Sequence, residues 1–336
     1  MRKYDIEIDE KVKEMDEFEF INSIKSKTYI QPSLQKGIGD DAAVFRVHSE
    51  DVVTAVDTFV EDIHFSSKTT LPYHIGYRAL AANISDVAAM GAKPTFYLVS
   101  IVIPKSVDDS FMQELFRGMR ELANAFHIDL IGGDTVSGNH LSISVTIIGT
   151  VADGKVRYRH VATEDDIIFV TGNLGDSRAG LEILLQDIEI DNKEYFIRRH
   201  RMPEPRVAFA LSLKSLSRVA LNDVSDGIAN ELREIAEASH VDIVIEDEKV
   251  PVHPSLKQFS KEQQYQWKLS GGEDFELIGA VSPIHWDIVQ AQAKRLELKV
   301  TSIGVAHKTQ GIEPEVYIKQ NGTTQPLLKN GYVHLK

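Results

Sequence analysis

Carboxylates recur beside glycines in this chain, and this pattern indicates a site that binds a cation together with phosphate. The stretch GIGDDAAVF (37–45) spaces its glycines like a phosphate-binding loop, but it carries Asp40 and Asp41 where such a loop would carry a lysine. Because carboxylates repel phosphates, the arrangement makes sense only with a cation between the two. Magnesium takes oxygen ligands, commonly one or two carboxylates together with phosphate oxygens. The sequence therefore predicts carboxylates that hold Mg²⁺ and Mg²⁺ that holds phosphates.

Further acidic residues stand where strands are expected to end, and several follow a glycine, which lets the backbone approach a ligand closely. Most have a simpler explanation: aspartate is common in turns, Asp226 could cap the helix after it, and Glu273 with Asp274 could form a solvated turn. Asp86 is different, because in NISDVAAM it lies among apolar residues of a helix, where a charge needs a partner or a metal. The complete set is Asp40, Asp41, Asp57, Asp86, Asp134, Asp223, Asp226, Glu273 and Asp274.

Other chemistries find little support. The chain has no cysteine, which excludes a thiolate metal site and a cysteine nucleophile, and it has no G-x-x-x-x-G-K-[ST] loop. The glycines of TGNLGDSRAG (171–180) have the wrong spacing for a dinucleotide loop, so a tight strand-to-helix turn is predicted there. His64 stands closest to the acidic residues, although a lone histidine is more often structural. Trp267 and Tyr332 could stack on a ring, although core packing is the default for both.

The composition limits the partners. A formal net charge of −13 argues against nucleic acid, which binds basic faces, and against a polybasic membrane anchor. No apolar run approaches the roughly 20 residues of a membrane span. The acidic start of the chain, MRKYDIEIDEKVKEMDEFEF, lacks the apolar core of a signal peptide. We therefore expect a cytoplasmic protein.

Two domains are expected for a chain of 336 residues. The polar segment DGKVRYRHVATEDD is the predicted boundary between residues 1–152 and 153–336. Strands alternate with helices on both sides of it, which predicts the class α/β (α+β) without fixing the order of the strands.

Strands 51–60 and 141–152 are apolar enough to be buried on both faces, which favours a dimer built through the N-terminal domain. The other elements predicted in this half are a helix over 17–26, a helix over 74–92 that Gly91 ends, a strand over 94–104, a helix over 110–127, and a short strand from 127 into a Gly-Gly turn.

An ordered series of motifs resembles the thiamine-monophosphate kinase family over about residues 37–335, nearly the whole chain. That family belongs to a superfamily of ATP-dependent enzymes that includes aminoimidazole ribonucleotide synthetase. The resemblance implies an N-terminal mixed-sheet domain that forms the interface of a homodimer, a C-terminal α/β domain, and ATP with several Mg²⁺ ions in the cleft between them. The motifs are GIGDDAAV, VDTFVEDIHF, ALAANISDVAAMGA, LIGGDT, VTGNLGDSRAGL, DVSDG and LSGGEDFEL.

The resemblance also implies roles for single residues, position by position. Asp40 lies beside the implied ligands as a supporting residue. Ala55 and Val56 depart from the family, because some members carry Ser and Thr there that also bind magnesium, so the number of ions stays open. The implied metal ligands are Asp41, Asp57, Asp86, Asp134, Asp223 and Asp226, the nucleotide contacts are Gly133, Asp134, Arg159 and Ser225, and the substrate contacts are His64, Glu273 and Tyr332.

The reaction that the resemblance implies is direct in-line transfer from ATP to thiamine monophosphate, which gives ADP and thiamine diphosphate. The acceptor is a phosphate with a second pKa near ~6, so it is already mostly dianionic at neutral pH and no general base is assigned. A magnesium cluster would neutralise and align the two anions.

Two alternatives remain open: another enzyme of the superfamily, such as the aminoimidazole ribonucleotide synthetase type, and a non-catalytic Mg-nucleotide protein or sensor of thiamine phosphate. Selenophosphate synthetase and the hydrogenase-maturation enzyme are less favoured. The first usually uses a reactive cysteine or selenocysteine and the second a C-terminal cysteine, and this chain has neither.

Overall fold

The computed structural model describes residues 28–36, 44–45 and 50–328, and this part of the chain folds around two mixed sheets. Asp40, Asp41, Tyr332 and the helix predicted over 17–26 lie outside the described residues. The strands are β1 (Leu34–Lys36), β2 (Val44–Phe45), β3 (Glu50–Val60), β4 (Lys93–Pro104), β5 (Asp129–Gly138), β6 (Ser142–Ala152), β7 (Ile167–Thr171), β8 (Ala220–Asp223), β9 (Val241–Glu246), β10 (Leu277–Val281), β11 (Val300–Lys308), β12 (Val316–Gln320) and β13 (Thr323–Pro326). The helices are α1 (Pro72–Ala89), α2 (Asp109–Phe126), α3 (Asp176–Gln186), α4 (Lys193–Arg201), α5 (Val207–Ser212), α6 (Ile228–Ser239), α7 (Lys261–Ser270) and α8 (Trp286–Arg295).

The first sheet has the order β3-β6-β4-β5, so β3 and β5 form its opposite edges in the described part of the chain. Only β4 and β5 run parallel. Along β6, Ile143, Val145 and Ile147 are buried, whereas Ser144 and Thr146 are half-exposed. In the single chain these strands are therefore buried on one face only, and burial on both faces stays a prediction that requires the second chain. One face is buried against helices, and the other is partly exposed, with polar side chains such as Ser144 and Thr146 beside the exposed Val52 and Val56.

Helix α1 lies between this sheet and the C-terminal half and carries several residues of the site. Pro72 begins it, and Gly91 follows its end with φ +68, a backbone conformation that glycine adopts without steric cost. Its alanines are buried on all sides because the helix is enclosed between two layers. Gly76 lets α2 approach closely, since a Cβ there would stand 1.9 Å from the Leu115 carbonyl oxygen.

The strand predicted from residue 127 does not turn at its two glycines but continues as β5 to Gly138. Gly133 is extended, and a Cβ at this position would stand 1.9 Å from the carbonyl oxygen of Val99 on β4. The glycine is needed because two strands approach closely, not because the chain reverses.

The second sheet has the order β13-β12-β9-β11-β7-β10-β8 and is antiparallel except between β9 and β12. One hydrophobic core joins the two halves, since residues of α1 and β6, such as Leu80 and Val145, belong to the same cluster as Phe209 and Leu277. The predicted α/β class is confirmed. Among the described residues, no helix has the length and apolar character needed to cross a membrane.

Candidate functional site

Four of the predicted carboxylates are brought together where the two halves meet, and we call Asp57, Asp86, Asp223 and Asp226 the acidic cluster. Asp57 lies within β3, Asp86 on α1, Asp223 at the end of β8, and Asp226 between β8 and α6. The neighbours of Asp86 reach two of the others: the Ser85 hydroxyl donates to the Asp223 carboxylate at 2.7 Å, and the Asn83 side-chain oxygen accepts from the Asp57 backbone N–H at 3.1 Å. Helix α1 therefore fixes both halves of the cluster.

The carboxylates of the acidic cluster act on one another. Burial raises the pKa of Asp86 to about 8, and the charges of Asp223 and Asp57 add to the shift. Burial likewise raises the pKa of Asp223 to about 6 against the hydrogen bond from Ser85, and it raises the pKa of Asp57, where Asp226 contributes. Arg159 opposes the shifts of Asp86 and Asp223. The cluster is thus short of positive charge.

This charge balance predicts a pH dependence of stability in the metal-free protein. Because Asp86 and Asp223 have higher pKa values in the folded chain than in the unfolded chain, the folded state binds more protons between about pH 4 and pH 8. Their stabilising contribution is fully present below about pH 4 and is lost as the pH rises through about 6 and 8. We expect the Tm in EDTA to fall by a few °C between about pH 6 and pH 8.

Asp86→Asn should flatten this slope. Asp242→Asn is the matched control, because the buried Asp242 carboxylate instead accepts backbone N–H groups of Gln310 and Glu315. Mg²⁺ should raise the Tm most at the alkaline end. Equal slopes in wild type and Asp86→Asn would contradict the interpretation of the cluster.

The donor set fits magnesium. Buried carboxylate oxygens that repel one another favour a hard divalent cation. In the part of the chain that is described, no three acidic or histidine side chains are already grouped as ligands of one ion. Asp41, also a predicted ligand, lies outside the described residues.

Asp134 and Gly133, predicted for metal and nucleotide, lie apart from the acidic cluster. Asp134 is on β5, whereas Asp57 is on β3 at the other edge of the sheet. Three strand spacings separate these edges, on the order of 14 Å along the sheet. Register places Asp57 opposite the buried Val145, on the helix side, and Asp134 opposite the exposed Ser100, on the other side. Their predicted roles stay predictions.

Arg159 and Ser225 both lie at the acidic cluster. The Arg159 guanidinium donates to the Asn222 side-chain oxygen at 3.1 Å and pairs with Glu234 at 3.0 Å. Ser225 lies between Asp223 and Asp226, and its backbone carbonyl accepts from Glu273 N–H at 2.7 Å.

A cleft of about 990 Å³ connects the acidic cluster with the predicted substrate contacts. Asp57 and Asp226 line it, together with His64 and Glu273. The His64 Nδ1 accepts from the backbone N–H of Val60 at 3.1 Å, so a neutral ring carries its proton on Nε2. The remaining lining includes Val56, Phe59, Ile63, Arg178, Leu181, Ser225, Trp267, Gly272 and Phe275.

The loop that carries Glu273 is held in place by hydrogen bonds of the buried residue next to it, Asp274. Glu273 and Phe275 have left-handed backbones, with φ values of 65° and 49°. Between them, the Asp274 carboxylate is buried and accepts from the Gly175 N–H at 2.6 Å and the Ser177 N–H at 3.0 Å. The interpretation of Glu273 and Asp274 as a solvated turn is therefore wrong for Asp274.

These contacts also explain the glycine motif 171–180. It is a tight strand-to-helix turn, as predicted, since it connects β7 with α3. Its backbone amides at the start of α3 are engaged by Asp274 of the same chain. Glu276 completes the anchor through buried ion pairs with Arg199 and Arg206.

Sequence reasoning missed several residues that hold the site. Arg78 forms an ion pair with Glu273, and Glu231 accepts from the Asp226 N–H at 2.9 Å and from Asn222 at 3.0 Å. Burial raises the pKa of Glu231 to about 8. A signal existed for Arg78, because it is a charge among the apolar residues of α1, as Asp86 is.

Comparisons with known proteins identify the class that this fold and site define. Family models described as AIR synthase related protein match the chain twice, with the N-terminal domain over residues 39–151 and the C-terminal domain over residues 163–317. The chain therefore has the two domains of that class.

Within this class, the chain belongs to the thiamine-monophosphate kinase family. It is 45% identical over 329 residues to thiamine-monophosphate kinase of Bacillus subtilis (strain 168), which covers 96% of this chain and 100% of that protein. The crystal structure of thiamine-monophosphate kinase from Stenotrophomonas maltophilia K279a is similar with a TM-score of 0.81 and 30% identity, over 93% of this chain and 98% of that one. A structure described as AaThiL complexed with AMPPCP and TMP has a TM-score of 0.75 and 28% identity, over 95% and 97% of the two chains.

Proposed function

We propose that this protein is an ATP-dependent phosphotransferase that converts thiamine monophosphate into thiamine diphosphate. The observation that carries the proposal is the cleft, which joins the acidic cluster at Asp57 and Asp226 to a second wall with His64 and Glu273. A related protein with AMPPCP and TMP bound supports the same pair of substrates. ATP is accordingly the co-substrate.

The chain's own residues suit a transfer between two phosphates. The acceptor oxygen is already ionised near neutral pH, so no side chain has to remove a proton from it. The chain has instead to position two anions and exclude water. Glu273, the substrate contact with a carboxylate, is engaged by Arg78 and serves binding.

Magnesium would be held by the acidic cluster, with Asp41 and Asp134 as further proposed ligands. When bound, it supplies positive charge that offsets the repulsion between the phosphates. Val56 lines the cleft and, like Ala55, offers no side-chain oxygen. We propose that several ions bind and that backbone carbonyls serve at these two positions.

We further propose a homodimer through the first sheet, in the cytoplasm, where ATP is available. Val52, Val56 and Val136 are exposed by 48%, 61% and 48% on the edge strands β3 and β5. Such edges invite pairing with a second chain.

Light scattering should therefore give twice the chain mass of 37.6 kDa at micromolar concentration. Lysine at Val56 places a charge in the proposed contact, and Val56→Lys should shift the mass toward the monomer, whereas Ile312→Lys, at another exposed apolar residue, should not. A wild-type monomer mass would reject the dimer.

The function is tested by a coupled assay of ADP release across a small panel of phosphate acceptors, with chromatographic detection of thiamine diphosphate. Steady ADP release with thiamine monophosphate would exclude a non-catalytic sensor. Faster turnover with the substrate of aminoimidazole ribonucleotide synthetase than with thiamine monophosphate would instead favour that enzyme class and overturn the proposal.

A further inference from the structure

Arg78 is a buried positive charge directly behind the wall of the cleft. It lies on α1, its side chain is 1% exposed, and it is not itself among the lining residues. Burying a guanidinium is costly unless charged or polar partners compensate it. Its partners therefore indicate why the helix carries it.

Arg78 engages three groups among the described residues, and all three belong to residues that line the cleft. The guanidinium forms an ion pair with the Glu273 carboxylate. Its Nη1 donates to the His64 carbonyl oxygen at 3.1 Å. Its Cζ lies 5.8 Å from the centroid of the Phe59 ring, within the range of a cation–π contact. One side chain thus connects β3, the turn after it and the Glu273 loop.

These contacts cross the boundary between the two halves of the chain. His64 and Phe59 belong to the N-terminal half, whereas Glu273 belongs to the C-terminal half. The Glu273 side chain is 32% exposed, so Arg78 holds it from behind while its outer side still faces the cleft.

We propose that Arg78 is the positioning residue of the acceptor site, and this inference rests on the proposed function. It orients the Glu273 carboxylate and the His64 turn toward thiamine monophosphate, and it does so without touching the substrate. Its loss should weaken acceptor binding more than nucleotide binding, because its partners His64 and Glu273 are the proposed contacts of the acceptor.

The test is a comparison of KM values. Arg78→Met keeps the apolar bulk and removes the charge, and we expect the KM for thiamine monophosphate to rise about tenfold or more while the KM for ATP changes by less than about threefold. Arg78→Lys retains a charge but not the planar fork of donors, so it should recover part of the loss.

Arg157→Met is the matched control. Arg157 is also buried between the halves, but its guanidinium donates to the carbonyl oxygens of Leu213 at 2.6 Å and Leu216 at 2.9 Å, neither of which lines the cleft. Both variants should lower the Tm, and only Arg78→Met should separate the two KM values.

A double-mutant cycle with Glu273→Gln tests whether Arg78 affects acceptor binding through Glu273. If Arg78 acts through Glu273, the increases in acceptor KM will not multiply when both are changed. An active wild type in which Arg78→Met alters both KM values equally would overturn this inference alone. A wild type that forms no thiamine diphosphate would overturn the proposed function and the acceptor role of Arg78 with it.

Discussion

Asp57→Asn should reduce phosphoryl transfer on the order of a thousandfold, because charge stabilisation by a bound metal is worth several kcal/mol. Asp57 lines the cleft and belongs to the acidic cluster, so asparagine removes a charge where the two phosphates are proposed to meet. We expect turnover to stay low when more Mg²⁺ is supplied, and the Mg²⁺-dependent rise in Tm to shrink.

The same variant should fold at least as well as the wild type without metal. Burial and the Asp226 charge raise the pKa of Asp57, so its ionised form opposes folding near neutral pH. The hydrogen bond to Asn83 comes from the backbone N–H and survives the change. Asp57→Asn should therefore keep or slightly raise the Tm in EDTA.

Asp62→Asn is the matched control for this experiment. Asp62 is exposed at the turn after β3, and its backbone has a φ of 66°, a conformation that asparagine also adopts readily. It should keep near-normal turnover. If Asp57→Asn were equally active at ordinary Mg²⁺, a metal role for Asp57 would be wrong.

Free thiamine should be a much poorer acceptor than thiamine monophosphate. Its alcohol has to lose a proton as the new bond forms, and a positioned base usually contributes about 10²–10⁴-fold to such a step. We expect a loss of at least this order, together with weak binding, because free thiamine lacks the phosphate.

Among the described residues that line the cleft, no side chain is free to act as the base that an alcohol would need. The Glu273 carboxylate is occupied by Arg78. The His64 Nδ1 already accepts from Val60, so in the neutral ring Nε2 donates and does not accept. The remaining carboxylates of the cleft, Asp57 and Asp226, are the proposed metal ligands.

Chromatography of reactions with ATP, Mg²⁺ and either acceptor shows which of the two acceptors is phosphorylated. Thiamine diphosphate should form from the monophosphate, and almost no monophosphate should form from thiamine. Inorganic phosphate added together with free thiamine is a control for the charge of the phosphate that free thiamine lacks. It should not restore the rate of phosphoryl transfer to thiamine. Comparable formation of thiamine monophosphate from thiamine would defeat the argument.

Local sequence signals were sufficient for most elements of the fold. The helix predicted over 110–127 begins at Asp109, where the Asp108 carboxylate caps it by accepting from the Phe111 N–H at 2.8 Å. Asp86 is conspicuous in the sequence alone, as a carboxylate within an apolar helix, and it lies in the acidic cluster, although the other members were grouped with it only by the family resemblance.

Long-range pairing carried no such signal. Strand order decides that Asp134 and Asp57 lie on opposite edges, and no local pattern specifies that order. The ion pair of Arg78 with Glu273 joins segments far apart in the chain. Gly133 was misinterpreted as a turn because only the neighbouring strand shows why a side chain cannot fit there.

The left-handed loop at Glu273 has a consequence for how the acceptor is met. Left-handed backbones at Glu273 and Phe275 cost on the order of 1–3 kcal/mol each, and such strain persists only where the surroundings enforce it. The buried Asp274 anchor enforces it while the chain folds. The ordering entropy of this loop is therefore lost before any ligand arrives and does not reduce the affinity for the acceptor. We therefore expect the proposed acceptor contacts on this loop to be preorganised, so that little of the free energy of acceptor binding is spent on ordering the backbone.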